Sequence, residues 1–379
     1  MKSWVFQTVV IQDGGLGRWS GFAEIQKAAL SGFRTVIGCH TAAAQAGVIG
    51  LTDAQGKGNG HRRVYGVAAL RTKYRVFTKT TGTDPVWIGT DVSEHPIRRW
   101  GPANIREQLN MLRKAHREKA QIVILECMAV QPELQRICQE QIVQSEITVI
   151  TNIRRDHMFE LGETVEEIAQ SFSATVPQNG SVYTADERTA QLMKPYCEQN
   201  GSRLLLCGTN GTARENRQIA LWVAEELGVP RGQVEQGIRT HYKQDFGAQW
   251  NYQLPGGGQF LNLFSVNDPD STRLILEDMD ESRPLVFLFN HRYDRPDRLL
   301  LFRKHFFSYY PRAVVYCTGQ GAYLLRRFLR GRTAPIIALR SWRDCLGQIP
   351  PDSLLVGIGS IKGEGYRMIQ ALERGEDAL

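Results

Sequence analysis

The chain has 379 residues, of which 42% are hydrophobic and 22% charged; these values exclude a largely disordered or fibrous protein, and the length predicts two domains. Lys and Arg number 46 against 39 Asp plus Glu, a net charge of +7, and 35 of the 46 are Arg, so a polyanionic partner and a merely arginine-rich composition both fit. The seven cysteines are scattered with no CxxC pair, which argues against a disulfide framework or a structural zinc site and for a reducing interior. No apolar run is long enough to cross a bilayer, since Val36–Leu51 is interrupted by His40, Thr41 and Gln45. With no targeting pattern at the N-terminus, a cytoplasmic protein is expected, and peripheral membrane contact stays open.

Residues 1 to 72 have many glycines and no sustained period, and no element is assigned there. From residue 104 the pattern alternates. An amphipathic helix is expected over 104–119, a buried strand over 120–127 (AQIVILEC), a helix over 132–144 and a strand over 147–152 (ITVITN). A helix over 163–175, a strand over 182–185, a helix over 188–200, a strand over 202–207 and a helix over 215–227 follow. Such alternation predicts a mostly parallel sheet covered on both faces. The Gly-rich, aromatic segment 240–258 with its Pro-Gly-Gly-Gly turn marks a domain boundary. Short apolar strands at 260–265, 285–290, 313–317, 336–339 and 354–358 make the second domain α/β as well.

Ligands of α/β proteins collect at the carboxyl ends of parallel strands. Glu126 ends the run IVIL, and Asp156 and His157 stand four and five residues beyond ITVITN; they are either structural charges or an oxygen-and-nitrogen site for Mg²⁺ beside phosphate. Lys79, Thr80, Thr81, Gly82 and Thr83 (KTTGT) form a loop able to wrap an anion. Upstream, Gln55–Asn59 (QGKGN) resembles a Walker loop around Lys57, but Gly58 and Asn59 stand where a metal-binding hydroxyl belongs. The segment 290–298 (NHRYDRPDR) is either a solvated charged loop or a clamp for an acidic ligand, its aspartates aligning the guanidinium groups. The segment 267–271 (NDPDS) reads as a polar turn opening a helix, and 357–365 (GIGSIKGEG) as a glycine-rich anion loop.

VFTKTTGTDP at 76–85, ECMAVQPELQ at 126–135 and TNIRRDHMFELG at 151–162 resemble the ligase subunit of poly-γ-glutamate synthase, a relative of the Mur ligases. The likeness runs in order through FSATVP at 172–177 and the segments at 215, 264, 290 and 357, covering roughly residues 74 to 370. It implies a P-loop-like, mostly parallel ATPase domain over 74–245, preceded by an atypical N-terminal segment 1–73, and a smaller Rossmann-like domain over 255–379. The implied reaction is ATP- and Mg²⁺-dependent amide-bond formation through an acyl phosphate, extending poly-γ-glutamate for a capsule or exopolymer. By position, Glu126 and His157 match the metal-associated groups. Lys57, the 79–83 loop, Asn216, Arg217, Asn267 and Asp268 match nucleotide-contacting positions, and Arg292, Asp294 and Arg298 match residues acting on ATP and acyl phosphate. The implied partners are glutamate, the growing polymer and small integral-membrane export subunits at the inner membrane face. A homo-oligomer stays open, and no nucleic acid is expected, since no recognition pattern accompanies the charge.

Two departures stand out. The membrane-anchoring helix and the Arg-Gly-Lys-Ser/Thr loop of the family have no counterpart beyond Lys57. In DFGAQW at 245–250, Gln249 or Trp250 replaces an arginine. Divergence, a non-catalytic relative and a shifted reading frame over residues 1 to 73 each account for the first. A non-catalytic ATP-binding or scaffolding subunit is therefore the alternative function.

Overall fold

The computed structural model describes residues 70–71, 73–81, 85–101, 103–127, 129–208, 212–241, 251–254, 258–266, 268–279, 283–329, 335–350 and 352–375, and the backbone strand 34–39. Side chains of 212–217, 240–241 and 326 lie outside this description. Lys57, Gly82, Thr83, Gln249, Trp250 and Asn267 are outside the described residues, so the structure does not bear on their expected roles.

Among the described residues there are two sheets. The first has eight strands in the order β4-β3-β2-β5-β1-β6-β7-β8. These are β1 (Arg34–Cys39), β2 (Val76–Lys79), β3 (Val86–Ile88), β4 (Glu94–Pro96), β5 (Ile122–Glu126), β6 (Ile147–Ile150), β7 (Ser181–Thr184) and β8 (Arg203–Leu206). β2, β5, β1, β6, β7 and β8 run parallel, and β3 and β4 add an antiparallel edge. The second has six strands, ordered β13-β12-β11-β14-β10-β9. They are β9 (Asn251–Gln253), β10 (Gln259–Asn262), β11 (Leu285–His291), β12 (Val315–Gly319), β13 (Ile336–Ala338) and β14 (Leu354–Ile358), of which only β9 is antiparallel to its neighbour. The α/β, mostly parallel architecture expected from the sequence is the one observed.

β1 is the principal difference. RTVIGC carries a glycine and too few alternating residues to signal a strand, yet it pairs with β5 on one side and β6 on the other. Its conformation comes from two partners distant in sequence, which a local reading does not contain.

Alternation on β5 sends side chains to both faces. Ile122 and Ile124 pack with Ile147, Val149 and the apolar stripe Ile219, Val223, Val234 and Ile238 of α6 (Thr212–Glu226) and α7 (Arg231–His241). Val123 and Leu125 meet Met111, Leu112 and Ala115 of α1 (Arg106–Arg117). The helix expected over 132–144 divides into α2 (Pro132–Ile137) and a π-helical turn, Cys138–Val143. Gln144 adopts φ 50° there and its N–H reaches the Gln139 carbonyl at 2.8 Å, a wider ring that propensity does not foretell. α3 (Met158–Leu161) and α4 (Val165–Ser173) follow β6; Thr164 and Glu167 form a capping box that starts α4. α5 (Glu187–Gln199) joins β7 to β8.

In the second sheet Phe287 and Phe289 point to one side, against Phe302 of α9 (Pro296–His305) and Phe306 just beyond its end. Leu288 and Leu355 point to the other, against Trp342 and Met368. Asp268 caps α8 (Pro269–Asp278), accepting from Ser271 N–H at 2.7 Å with Pro269 in the first turn, so NDPDS opens a helix as its composition indicates. α10 (Ala322–Phe328) and α11 (Glu364–Arg374) complete this unit. Among the described residues no helix is long and apolar enough to cross a membrane.

Candidate functional site: the strand ends of the first sheet and the loops of the second

Lys79 ends β2 with its side chain wholly buried, and its Nζ lies 2.9 Å from Glu107 Oε1 on α1. Arg99 holds the same carboxylate with two nitrogens, at 2.7 and 2.8 Å. Burial lowers the Lys79 pKa and Glu107 opposes that. Burial also pushes Glu107 up, but Arg99 and Lys79 outweigh it and keep the carboxyl below its ordinary value. Thr80 spends its hydroxyl on the chain: it accepts from Val86 N–H at 2.8 Å and donates to the Val86 carbonyl at 3.2 Å, clasping the loop shut. Thr81 donates its backbone N–H to Glu126 Oε2 at 2.6 Å, and its hydroxyl accepts from Arg99 at 3.3 Å.

Glu126, at the end of β5, is only 2% exposed, and Gln108 donates to its backbone carbonyl at 2.9 Å. Lys79, Thr80, Thr81 and Glu126 thus meet at the carboxyl ends of two paired strands. Among the described residues the formal charges there are two cations, Lys79 and Arg99, against two carboxylates, Glu107 and Glu126. The balance leaves little positive charge for a polyphosphate, so a divalent ion beside Glu126 fits the electrostatics. His157, beyond β6, adopts φ 50°, and its Nδ1 lies 3.7 Å from Glu160 Oε2. Among the described residues no three His, Cys, Asp or Glu side chains gather as a metal cage. The Glu126 carboxylate suits Mg²⁺, which keeps waters and binds phosphate oxygens at its other positions, whereas an imidazole is a better ligand for softer divalent ions.

The loop Arg154-Arg155-Asp156-His157 distributes its charges to separate partners. Arg154 grips Asp186 at 2.6 and 3.1 Å within the first unit. Arg155 crosses to Asp270 on α8 at 2.8 Å. Asp156, fully buried, pairs with Arg295 and lies 3.7 Å from Arg298, both from the second unit. Burial raises the Asp156 pKa, but Arg295, His157 and Arg298 together hold it below its ordinary value. The reading of Asp156 as part of a metal site is therefore corrected: its charge is consumed by two arginines.

The same contacts resolve the NHRYDRPDR segment. Asp294 pairs with Arg292 and Asp297 with Arg295, so the aspartates do align guanidinium groups. Arg295 and Arg298 nevertheless turn inward to Asp156, and Arg298 donates to the Gly359 carbonyl at 3.0 Å. Arg292 and Asp294 stay nearer the surface. The glycine-rich 357–365 loop wraps Asn290, whose amide donates to the carbonyls of Ser360 and Lys362, the latter at 2.7 Å. Gly359, at φ 97°, comes so close to Asn290 that a Cβ would sit 2.7 Å from its carbonyl oxygen, so glycine at this position permits the approach. Asn216 and Arg217 fall in the first half of α6. Sequence reasoning passed over Arg99, Glu107, Arg155, Asp186 and Asp270, because their roles exist only across strands and between units. The doubled arginine beside Asp156 was the available signal.

Comparison with solved structures places this fold in a class. E. coli FolC in complex with DHPP and ADP superposes with a TM-score of 0.61 at 14% identity, over 96% of this chain and 94% of that one. The bifunctional folylpolyglutamate synthase/dihydrofolate synthase of Yersinia pestis, complexed with AMPPNP and Mn ion, gives 0.59 at 13%, over 96% and 94%. The fold is that of the Mur ligases and folylpolyglutamate synthases. The family model for the Mur ligase middle domain matches residues 74–266, and that for the poly-gamma-glutamate synthase CapB C-terminal domain matches 252–375. The capsule biosynthesis protein CapB of Bacillus anthracis is 30% identical over 356 residues, 86% of this chain and 76% of the relative. PGA synthase CapB of Bacillus subtilis (strain 168) is 29% identical over 328 residues, 81% and 79% of the two chains. The chain belongs to the CapB family of Mur-type ligases.

Proposed function

We propose that the chain is an ATP- and Mg²⁺-dependent amide ligase that extends poly-γ-glutamate for a capsule or exopolymer. The observation that carries this is the buried Lys79–Glu107–Arg99 and Thr81–Glu126 cluster at the ends of β2 and β5, within a family of ligases. In this reading 74–245 is the ATPase domain, with 1–73 part of it, and 255–379 the domain that closes over it. Glu126 and His157 would hold Mg²⁺, which would supply charge neutralisation at the phosphates. Lys79 and the Thr81 region position the phosphate chain; Arg292 and Asp294 lie on the loop that faces the reacting carboxylate, with Arg298 fixing that loop. A carboxylate oxygen of the acceptor attacks the γ-phosphorus and ADP leaves. The amine of the incoming glutamate then attacks the acyl carbon, phosphate departs, and the amine loses a proton, completing the amide. The chain works at the inner face of the cell membrane beside small integral-membrane subunits.

Glutamate-dependent phosphate release from ATP, measured with polymer acceptor and membrane subunits present, tests the proposal. Background release from folded protein overturns it. One observation favours a second reading, a non-catalytic ATP-binding subunit: Gly58 and Asn59 follow Lys57 where a metal-binding hydroxyl belongs. That reading predicts nucleotide binding by calorimetry with no hydrolysis.

A further inference from the structure

A groove of about 550 Å³ lies along α1 and the segment leading into it, lined by Arg98, Arg106, Arg113, Lys114 and Arg117. Glu107 is the single carboxylate among its described lining residues, and it is already engaged by Lys79 and Arg99. None of the five groove cations has a carboxylate within 4.0 Å among the described residues. Arg106, Arg113 and Arg117 are spaced seven and four residues apart, which puts them on one face of the helix at intervals of roughly 10 and 6 Å. Two cations are held in place. Arg113 donates to Asn110 Oδ1 at 3.2 Å, and the Lys114 ammonium sits 4.4 Å from the centre of the Trp87 ring.

Like charges in file repel one another, and a lone small anion satisfies only one of them. A row of this kind in a concave surface suits a narrow, repeating polyanion, whose successive carboxylates meet successive guanidinium groups. A flat bilayer surface fits a groove less well than a flexible chain does. The groove also has a direction: its Glu107 end touches Lys79, at the strand ends of the candidate site, and Arg117 lies three helical turns away.

We propose that this groove is the track that holds the acidic γ-linked polymer next to its growing end, with Arg106, Arg113 and Arg117 as its principal contacts. The inference rests on the proposed polyglutamate ligase function and adds where the chain of carboxylates lies. Its consequence is a dependence on acceptor length: a long acceptor uses the whole track, and a di- or tri-γ-glutamate does not reach Arg117.

The test uses the full chain and a triple variant, Arg106→Gln, Arg113→Gln, Arg117→Gln, with thermal unfolding to establish that the variant folds. Should it fail to fold, the single variants Arg106→Gln and Arg117→Gln take its place, both being at exposed positions. Binding of labelled long-chain poly-γ-glutamate is measured by fluorescence anisotropy at low and high salt, and ligation is measured with long and short acceptors. The expected result is salt-sensitive binding by the parent and a rise of roughly tenfold or more in Kd and KM for the long acceptor in the triple variant, with a clearly smaller rise in the short-acceptor KM. Parent protein that ligates, beside a variant with unaltered polymer affinity and length dependence, overturns the track and leaves the ligase reading standing. Parent protein that binds polymer through these arginines without ligating supports the track and defeats the ligase reading. Anionic vesicles form the third arm, since the exposed Trp100 stands two residues from Arg98. Loss of vesicle binding with retained polymer binding in the variant assigns the groove to a membrane and overturns the proposal.

Discussion

Arg155 Nη1 lies 2.8 Å from Asp270 Oδ1, joining positions 115 residues apart and tying the loop after β6 to the first turn of α8. Together with Asp156 and Arg295 it makes the loop that carries His157 a fastening between the two sheets. Two adjacent residues of opposite charge each find the complementary charge on the other unit. That arrangement sets both the spacing and the register of the approach.

Removing either partner of that contact is expected to cost about 1.5–3 kcal/mol, the scale of a hydrogen bond to a charged group. Arg155→Ala and Asp270→Ala, combined in a double-mutant cycle by urea unfolding, are expected to be non-additive. Arg154→Ala is the comparison, because Arg154 pairs with Asp186 inside the first unit. At matched stability, Arg155→Ala is expected to lower ligation more than Arg154→Ala; equal effects remove the fastening from the mechanism.

Lys79→Met leaves Glu107 buried against Arg99 alone. Stability is expected to fall by about 3 kcal/mol, the lower end for a broken buried pair because Arg99 remains. Phosphate release is expected to drop by roughly 100-fold or more. Adding Glu107→Gln restores part of the stability and none of the turnover. Recovery of turnover in the double variant shows that Lys79 acts only on the fold.

Glu126→Gln keeps an oxygen for the Thr81 N–H and removes the charge. Unfolding is expected to change by about 1 kcal/mol or less. The Mg²⁺ concentration that supports half-maximal phosphate release is expected to rise roughly tenfold or more. An unchanged magnesium requirement places the ion elsewhere.

Asp268 predicts a pH dependence. Burial, aided by neighbouring Asp270 and Asp156, pushes its carboxyl up to about 7 from an ordinary 3.8. The native state therefore keeps a proton that the unfolded chain releases, so this group favours the fold below its unfolded pKa. That contribution is lost as pH rises through the folded value. Asp156 and Asp186, held low, act in the opposite sense: their contribution is present above the unfolded pKa and lost as pH falls. Asp268→Asn preserves the cap on Ser271 and abolishes the titration. Relative to the parent, the variant is expected to gain stability between about pH 5 and about pH 8, by urea unfolding at each. Parallel profiles show that Asp268 does not titrate in this range.

Much of the fold was legible because it rests on local pattern. The runs IVILE, ITVI and LLVGI are apolar on both faces, as parallel strands under two layers of helix must be, and the structure has all three as strands. NDPDS carried its own cap and helix-starting proline. The RTVIGC strand was not legible, since β5 and β6 on either side make it a strand. In the candidate site, Lys79 and Glu126 stood out through their strand-end positions, whereas no local pattern marked Glu107 and Arg99.

The chain by itself therefore determined the α/β class, the order of most elements, the family and the strand ends where Lys79 and Glu126 stand. All of these follow from side-chain period and short motifs. Tertiary structure alone decided which charges meet. Asp156 passed from metal-ligand candidate to the partner of Arg295 and Arg298, and the arginines of α1 became one wall of a groove. The physical reason is that ion pairing depends on distance through space and on burial, and neither is encoded in the spacing of residues along the chain.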